Sequence, residues 1–250
     1  NLRDLIEANA HWDVTGDETY SSEQYTTIAE RLYGVVFGVA AQIVEEGVCS
    51  MEDVDRGAKV GLRWARGPFE MMNRVGIQEA HRMAQAYASL SAESDPEHAW
   101  QVPAFFTAQS ESAAAWNFAY VDTTVEHGVA TLTINRPEAM NALNETVVGQ
   151  LNDALDAVNS NDEVHTIVID GAGKAFVAGA DVKFFVDKIR SDDIPDIQMF
   201  TENGHILLAA LEDSSKTTIA LTTGLALGGG LDLALACDYR IGTRRTQFRF

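Results

Sequence analysis

Apolar positions change rhythm about halfway along the chain. Between Tyr25 and Glu46, Ile28, Leu32, Val35, Val36, Val39, Ile43 and Val44 recur at helical spacing and predict one helix with a single apolar stripe, stopped by Gly47. Ser50-Met51-Glu52-Asp53 has the S-x-x-D form of a capping box and predicts the start of a short helix. Gly67-Pro68 breaks the chain again, and Pro68 suits the first turn of a helix over 69–74. An amphipathic helix is expected over 78–90, and residues 91–103 read as a polar loop. No β-rich run precedes Tyr120, so residues 1–118 are expected to form an all-α domain.

From residue 119 onward, strand and helix patterns alternate. Strands are expected over 129–134, 165–170 and 217–222, with another starting at Tyr239-Arg240-Ile241. Helices are expected over 145–158, 181–189, 197–211 and 231–237. In the first of these, Val147, Val148, Leu151, Ala154, Leu155 and Val158 share one face. This alternation predicts an α/β domain over 119–250 with largely buried strands.

Composition narrows the function classes. The chain has 250 residues, 46% of them hydrophobic, enough for one large core or two smaller ones. Its apolar stretches are broken by charge or glycine short of the ~18 residues a bilayer span needs, so no membrane partner is expected. Arg3, Asp4 and Glu7 already interrupt residues 1–10, unlike a signal peptide, and the first residue is not Met, which suggests a fragment. Cys49 and Cys237 lie far apart in apolar helical settings, so a reducing cytoplasm is expected and a disulfide framework is not. The six histidines show no metal-ligand spacing, and no metal is expected. The net charge of −19 is spread along the whole chain without a basic patch, which argues against a nucleic-acid partner. That charge fits a simple solvated surface, or equally a salt-rich cytoplasm that screens self-repulsion. Trp12, Trp64, Trp100 and Trp116 are read as packing residues, and His127 and His165 as surface or cap residues flanking strands.

Two glycine-containing turns interrupt the α/β pattern. Lys174-Ala175-Phe176-Val177-Ala178-Gly179-Ala180-Asp181 follows a strand and opens a helix, and Gly224-Leu225-Ala226-Leu227-Gly228-Gly229-Gly230 does the same. Each brings backbone N–H groups to a helix N-terminus, where unpaired donors favour negative charge. A phosphate-binding P-loop does not fit, because Ala175 follows Gly173-Lys174 and Val168 stands where the first glycine belongs. Neither turn has the GxGxxG order of a dinucleotide site.

Asn135-Arg136-Pro137-Glu138-Ala139-Met140-Asn141-Ala142-Leu143, the Lys174–Asp181 segment, and Gly228-Gly229-Gly230-Leu231-Asp232-Leu233-Ala234 with Cys237-Asp238 resemble, in order and spacing, the crotonase (enoyl-CoA hydratase/isomerase) superfamily. The resemblance covers about residues 121–250, roughly the first half of such a domain, and implies an incomplete ββα spiral. It also implies a homo-oligomer assembled through that domain. By the same resemblance, the N–H groups of Ala180 and Gly229 form an oxyanion hole for a coenzyme A thioester. Ala178, Ala180, Asp181, Val182, Lys183 and Gly229 line the CoA site, and Asp232 is the acid/base residue.

The chemistry is consistent with those roles. Addition to a conjugated thioester, or proton removal beside its carbonyl, puts negative charge on the carbonyl oxygen. Two fixed N–H donors stabilise that charge more in the transition state than in the ground state. Hydration also needs carboxylates to hold and deprotonate water. In hydratases the resemblance places Glu where this chain has Asp232, one methylene shorter. The second Glu is expected in a PE dipeptide two residues past Phe250.

Glu45-Glu46-Gly47-Val48-Cys49-Ser50-Met51-Glu52-Asp53-Val54-Asp55, Gly61-Leu62-Arg63-Trp64 and Gly67-Pro68-Phe69-Glu70 resemble the helical C-terminal domain of 3-hydroxyacyl-CoA dehydrogenases. There an Asn precedes the Arg-Leu pair of the first long helix; here Glu30 precedes Arg31-Leu32, which implies a structural copy of that domain without a redox site. Together the two resemblances imply part of a β-oxidation fusion whose NAD-binding domain lies elsewhere. Three functions stay open: enoyl-CoA hydratase, enoyl-CoA isomerase, and a non-catalytic acyl-CoA-binding module.

Overall fold

The computed structural model describes residues 21–250 and divides the chain into two compact units. The first comprises residues up to Asp55 and Arg66–Trp116; the second comprises Arg56–Ala65 and Asn117–Phe250. The expectations for residues 1–10 and for Trp12 fall outside the described residues.

The first unit is helical. Its elements are α1 (Ser22–Glu45), the start of α2 (Met51–Gly61), α3 (Pro68–Val75), α4 (Ile77–Ser94) and α5 (Ala104–Ser112). Ser21 and Gln24 form a reciprocal capping box at the start of α1. Pro68 occupies the first turn of α3, as the sequence predicts, and the buried Asp55 carboxylate accepts the N–H groups of Phe69 and Glu70 at 2.8 and 2.9 Å. The loop expected over 91–103 is shorter than read: α4 runs on to Ser94, and Pro96–His98 is a 3-10 turn.

The stripe predicted on α1 is only partly covered: Val35, Val36, Ile43 and Val44 are half-buried, and the fully buried face lies elsewhere. Gly34, Phe37, Gly38, Ala40 and Ala41 are buried, while Ile28, Leu32 and Val39 are exposed. The helix is apolar on more than one side, and the small residues win because they admit close neighbours. A Cβ on Gly34 would stand 2.4 Å from the Met83 carbonyl oxygen, and one on Gly38 would stand 2.3 Å from the Trp100 ring. By length and composition α1 is also apolar enough to cross a membrane, contrary to the expectation that no stretch is. The two charges Glu30 and Arg31 do not offset the run that follows them.

Phe69, Phe105 and Phe106 surround Trp116, and Trp100 donates to the Gln42 side chain at 2.7 Å. Trp64, read as a packing residue, is 37% exposed. Cys49 lies in the turn between α1 and α2 and not in a helix. His81 is buried 3.1 Å from the Thr107 hydroxyl, and burial lowers its pKa.

The second unit begins with a hairpin of β1 (Val121–Glu126) and β2 (Val129–Ile134), joined at His127-Gly128, both with positive φ. The sequence reading missed β1, whose residues are mostly exposed and carry no buried period. Next come α6 (Glu145–Asn159), β3 (Thr166–Gly171), β4 (Ala175–Val177), α7 (Val182–Arg190) and α8 (Ile194–Glu212). Then follow β5 (Thr217–Thr222), β6 (Leu225–Leu227), α9 (Gly229–Ala236), β7 (Tyr239–Gly242) and β8 (Gln247–Arg249).

Two sheets result. Strands β1-β2-β3-β5-β7 form one, parallel from β2 onward, and β4-β6-β8 form the other, all parallel. The chain steps from a strand of the large sheet to one of the small sheet three times, at β3–β4, β5–β6 and β7–β8. This is the ββα spiral that the resemblance implies. Along β2 and β3 alternate residues are buried, and they pack against Val147, Val148, Leu151, Leu155 and Val158 of α6. Strands β1, β7 and β8 are exposed, so the strands are less uniformly buried than the expected largely buried set.

Candidate active site

The segment 135–143 anchors the site. Beyond β2 the chain makes a 3-10 turn at Pro137–Ala139, and Met140 and Asn141 both take positive φ. Asn tolerates that conformation better than most residues. Asn141 is fully buried, and its side chain accepts from Arg136 N and donates to the carbonyls of Ala172 and Ala175 at 2.9 and 2.8 Å. One side chain thus ties the turn to the crossing from β3 to β4.

Leu143 then forms an isolated parallel bridge with Ala180. Its N–H donates to Gly179 O at 2.8 Å, and its carbonyl accepts from Asp181 N at 2.7 Å. A trans peptide unit is planar, with its C=O and N–H pointing in opposite directions. Holding Gly179 O toward Leu143 therefore turns the Ala180 N–H the other way. That N–H has no acceptor among the described residues.

The second donor lies at the start of α9. Gly228 has φ +46°, a conformation that favours glycine, and Gly229 is the first helical residue. The Gly229 N–H is one of the helix's unpaired terminal donors and likewise has no acceptor among the described residues. The next glycine serves packing: a Cβ on Gly230 would stand 2.1 Å from Val177 O.

Ala180, Gly229 and Asp232 line a single cavity of about 180 Å³. Leu143, Val148, Phe200, Leu207 and Leu208 form its apolar walls, and Thr201 and His205 add polar groups. The structure thus brings together the three residues assigned to catalysis, and the Asp232 carboxylate is exposed there. The sequence reading missed the contribution of α8. Its signal was available: 200, 201, 204, 205, 207 and 208 fall on one face of a helix, and that face carries Thr, Gly and His among apolar residues.

Ala178, Asp181, Val182 and Lys183 do not line this cavity. Val182 and Lys183 stand exposed in the first turn of α7, and Ala178 N donates to Met140 O. The Asp181 carboxylate caps α7 through Lys183 N at 3.0 Å and pairs with Arg136 Nη1 at 2.7 Å. Arg136 also donates to Ala142 O at 3.2 Å and lies over the Tyr120 ring at 5.5 Å. In the first unit, Glu30 pairs with Arg82 at 3.0 Å, a surface contact of structural character.

Residues 129–250 match the family described as enoyl-CoA hydratase/isomerase, and residues 28–111 match the 3-hydroxyacyl-CoA dehydrogenase C-terminal domain. The crotonyl-CoA hydratase of Syntrophomonas wolfei is 40% identical over 124 residues, covering 49% of this chain and 46% of that protein. The trans-2-decenoyl-[acyl-carrier-protein] isomerase of Streptococcus mutans is 31% identical over 124 residues, covering 50% and 47%. A solved structure from Pseudomonas aeruginosa shares 34% identity at a TM-score of 0.51, covering 53% of this chain and 56% of that one. The chain spans about half the length of the curated relatives it matches.

Proposed function

With residues 129–250 belonging to the enoyl-CoA hydratase/isomerase family and residues 28–111 to that of the 3-hydroxyacyl-CoA dehydrogenase C-terminal domain, we propose that this chain is part of an enzyme that reversibly hydrates enoyl-CoA to 3-hydroxyacyl-CoA. One observation supports the reading: Ala180 and Gly229, whose N–H groups have no acceptor among the described residues, line the same cavity as Asp232.

The thioester oxygen accepts both N–H groups. Water adds its oxygen to C3 of the enoyl group and gives its proton to a carboxylate, in which role we place Asp232. The C2–C3 π pair moves into the thioester as an enolate, whose oxygen charge the two donors stabilise. The proton held by the carboxylate then passes to C2, which regenerates the carboxylate and completes the 3-hydroxyacyl product. Losing one such donor typically costs about 2.7–4 kcal/mol of barrier.

The test is the whole protein mixed with crotonyl-CoA. Loss of the enoyl-thioester chromophore, with 3-hydroxybutyryl-CoA as product, is expected. No turnover on any enoyl-CoA removes the hydratase reading. A second reading, double-bond isomerisation, is favoured by Asp232 being the one carboxylate on the cavity among the described residues. One carboxylate suffices to take a proton from C2 and return it to C4, and conversion of 3-enoyl-CoA to 2-enoyl-CoA without hydration would select that reading.

The same proposal extends to the parent protein. It places domains at 1–118 and 119–250 and an NAD-dependent 3-hydroxyacyl-CoA dehydrogenase activity in the parent. It places CoA contacts at Ala178 and 181–183, and it includes homo-oligomerisation and a cytoplasmic setting.

A further inference from the structure

We propose that Arg136 is a positioning residue for the Ala180 donor, acting through Asp181; this rests on the reading of Ala180 and Gly229 as donors to a thioester oxygen. The direction of the Ala180 N–H follows from the Gly179–Ala180 peptide plane. That plane is held by the backbone bonds between residues 178–181 and residues 140–143. Neither partner is a regular strand. Gly179 has φ +85°, and Met140 and Asn141 also take positive φ. Two short irregular segments, joined by three backbone hydrogen bonds, therefore aim the donor.

Arg136 grips both segments at once. Its Nη1 donates to Asp181 Oδ2 at 2.7 Å, next to Ala180, and to Ala142 O at 3.2 Å, next to Leu143. Asp181 and Ala142 flank the bridge, one on each segment. The side chains of Arg136 and Asp181 are 15% and 16% exposed, so little solvent competes for the contact, and the Tyr120 ring covers the guanidinium. Helix capping alone does not require this pair, because Asp181 caps α7 through its other oxygen, Oδ1. Among the described residues, the buried Arg136 Nε has no hydrogen-bond partner, so these contacts do not satisfy all the guanidinium's donors. Its placement favours the geometry of the loop over its own hydrogen bonding.

The experiment uses the full-length protein and crotonyl-CoA. It measures kcat, KM and the carbonyl stretching frequency of bound thioester by Raman difference spectroscopy. Arg136→Gln is expected to lower kcat about tenfold to a hundredfold, less than the roughly hundredfold to thousandfold for losing one donor outright, while KM changes little. The carbonyl downshift on binding should shrink in step. Arg136→Lys, which keeps the charge, should recover most of both. Asp181→Asn should match the loss, and the double variant should be no worse than either single one. If Arg136→Gln fails to fold, Arg136→Lys and Asp181→Asn carry the test. Wild-type kcat and carbonyl shift in Arg136→Gln, or losses that multiply in the double variant, would overturn the proposal. A wild-type protein that neither turns over nor shifts the carbonyl of any thioester would instead overturn the thioester reading, and this proposal with it.

Discussion

Gly229 and Gly230 are neighbours in one turn of one helix, and they should respond to the same substitution with opposite sign. A Cβ on Gly230 would stand 2.1 Å from the Val177 carbonyl oxygen and 2.7 Å from Val177 Cβ. Backbone cannot yield as a flexible side chain can, and overpacking of this kind costs about 1–3 kcal/mol or more. Alanine recovers up to about 1 kcal/mol over glycine in a helix, leaving Gly230→Ala less stable by up to about 2 kcal/mol. A Cβ on Gly229 meets only Leu143 Cδ1, at an ordinary 3.6 Å. Gly229→Ala should therefore hold wild-type stability or gain a few tenths of a kcal/mol. For a chain of this size, 1 kcal/mol corresponds to about 2–4 °C. Thermal melts followed by far-ultraviolet circular dichroism should show Gly230→Ala a few degrees below wild type and Gly229→Ala at or above it. In the whole protein, Gly229→Ala should lose hydration turnover despite its intact fold, because the methyl enters the cavity wall beside the donor. Gly229→Val should lower turnover by orders of magnitude while leaving any dehydrogenase activity of the parent nearly unchanged. Equal melting temperatures for the two alanine variants would refute the packing argument. Full turnover in a folded Gly229→Val would refute the placement of the donor.

Asp232→Asn should lose at least the ~100-fold typical of general acid–base groups in crotonyl-CoA hydration, and Asp232→Glu should keep or raise turnover. Turnover within a few-fold in Asp232→Asn would move the isomerase or binding-module reading ahead. Cys237 is buried at the end of α9, and burial pushes its thiol up to about 12, against about 8.5 when unfolded. Titration of the native chain with a disulfide reagent at pH 8 should therefore modify Cys49 alone, and fast reaction of both thiols would contradict it. Because the folded value is the raised one, Cys237 contributes its full share of stability below about pH 8.5 and loses it as pH rises toward 12. Cys237→Ala should accordingly flatten the fall of the denaturation midpoint over that window, and an unchanged slope would count against it. Neither glycine turn has the GxGxxG order, and the resemblance puts Glu30 where the dehydrogenase family has Asn, so calorimetric titration of the 250-residue chain with NADH should give no saturable heat. Micromolar binding would sink that expectation.

Much of this protein was legible in the order of its residues, because the signals involved are local. Helical spacing located α4 and α6 to within a few residues, since each buries one face against its neighbours. Pro68 and the stop at Gly47 marked boundaries through backbone constraints that act within a turn. The motif order Asn135–Leu143, Lys174–Asp181 and Gly228–Ala234 pointed to Ala180, Gly229 and Asp232, which the structure brings to one cavity. Other features required the tertiary structure. Strands β4, β6 and β8 have three residues each, too few for an alternating pattern, and become strands only by pairing with one another. The face of α1 that is buried was decided by which residues admit a neighbour closely, and spacing alone chose the larger apolar side chains instead. The pairing of Arg136 with Asp181 spans 45 positions and depends on two turns meeting across the Leu143–Ala180 bridge. The wall that α8 adds to the cavity arises because the helix packs beside α6 and α9. A sequence encodes local preference directly, but long-range contacts exist only once the chain has closed on itself, and the aim of the Ala180 donor is set by such contacts.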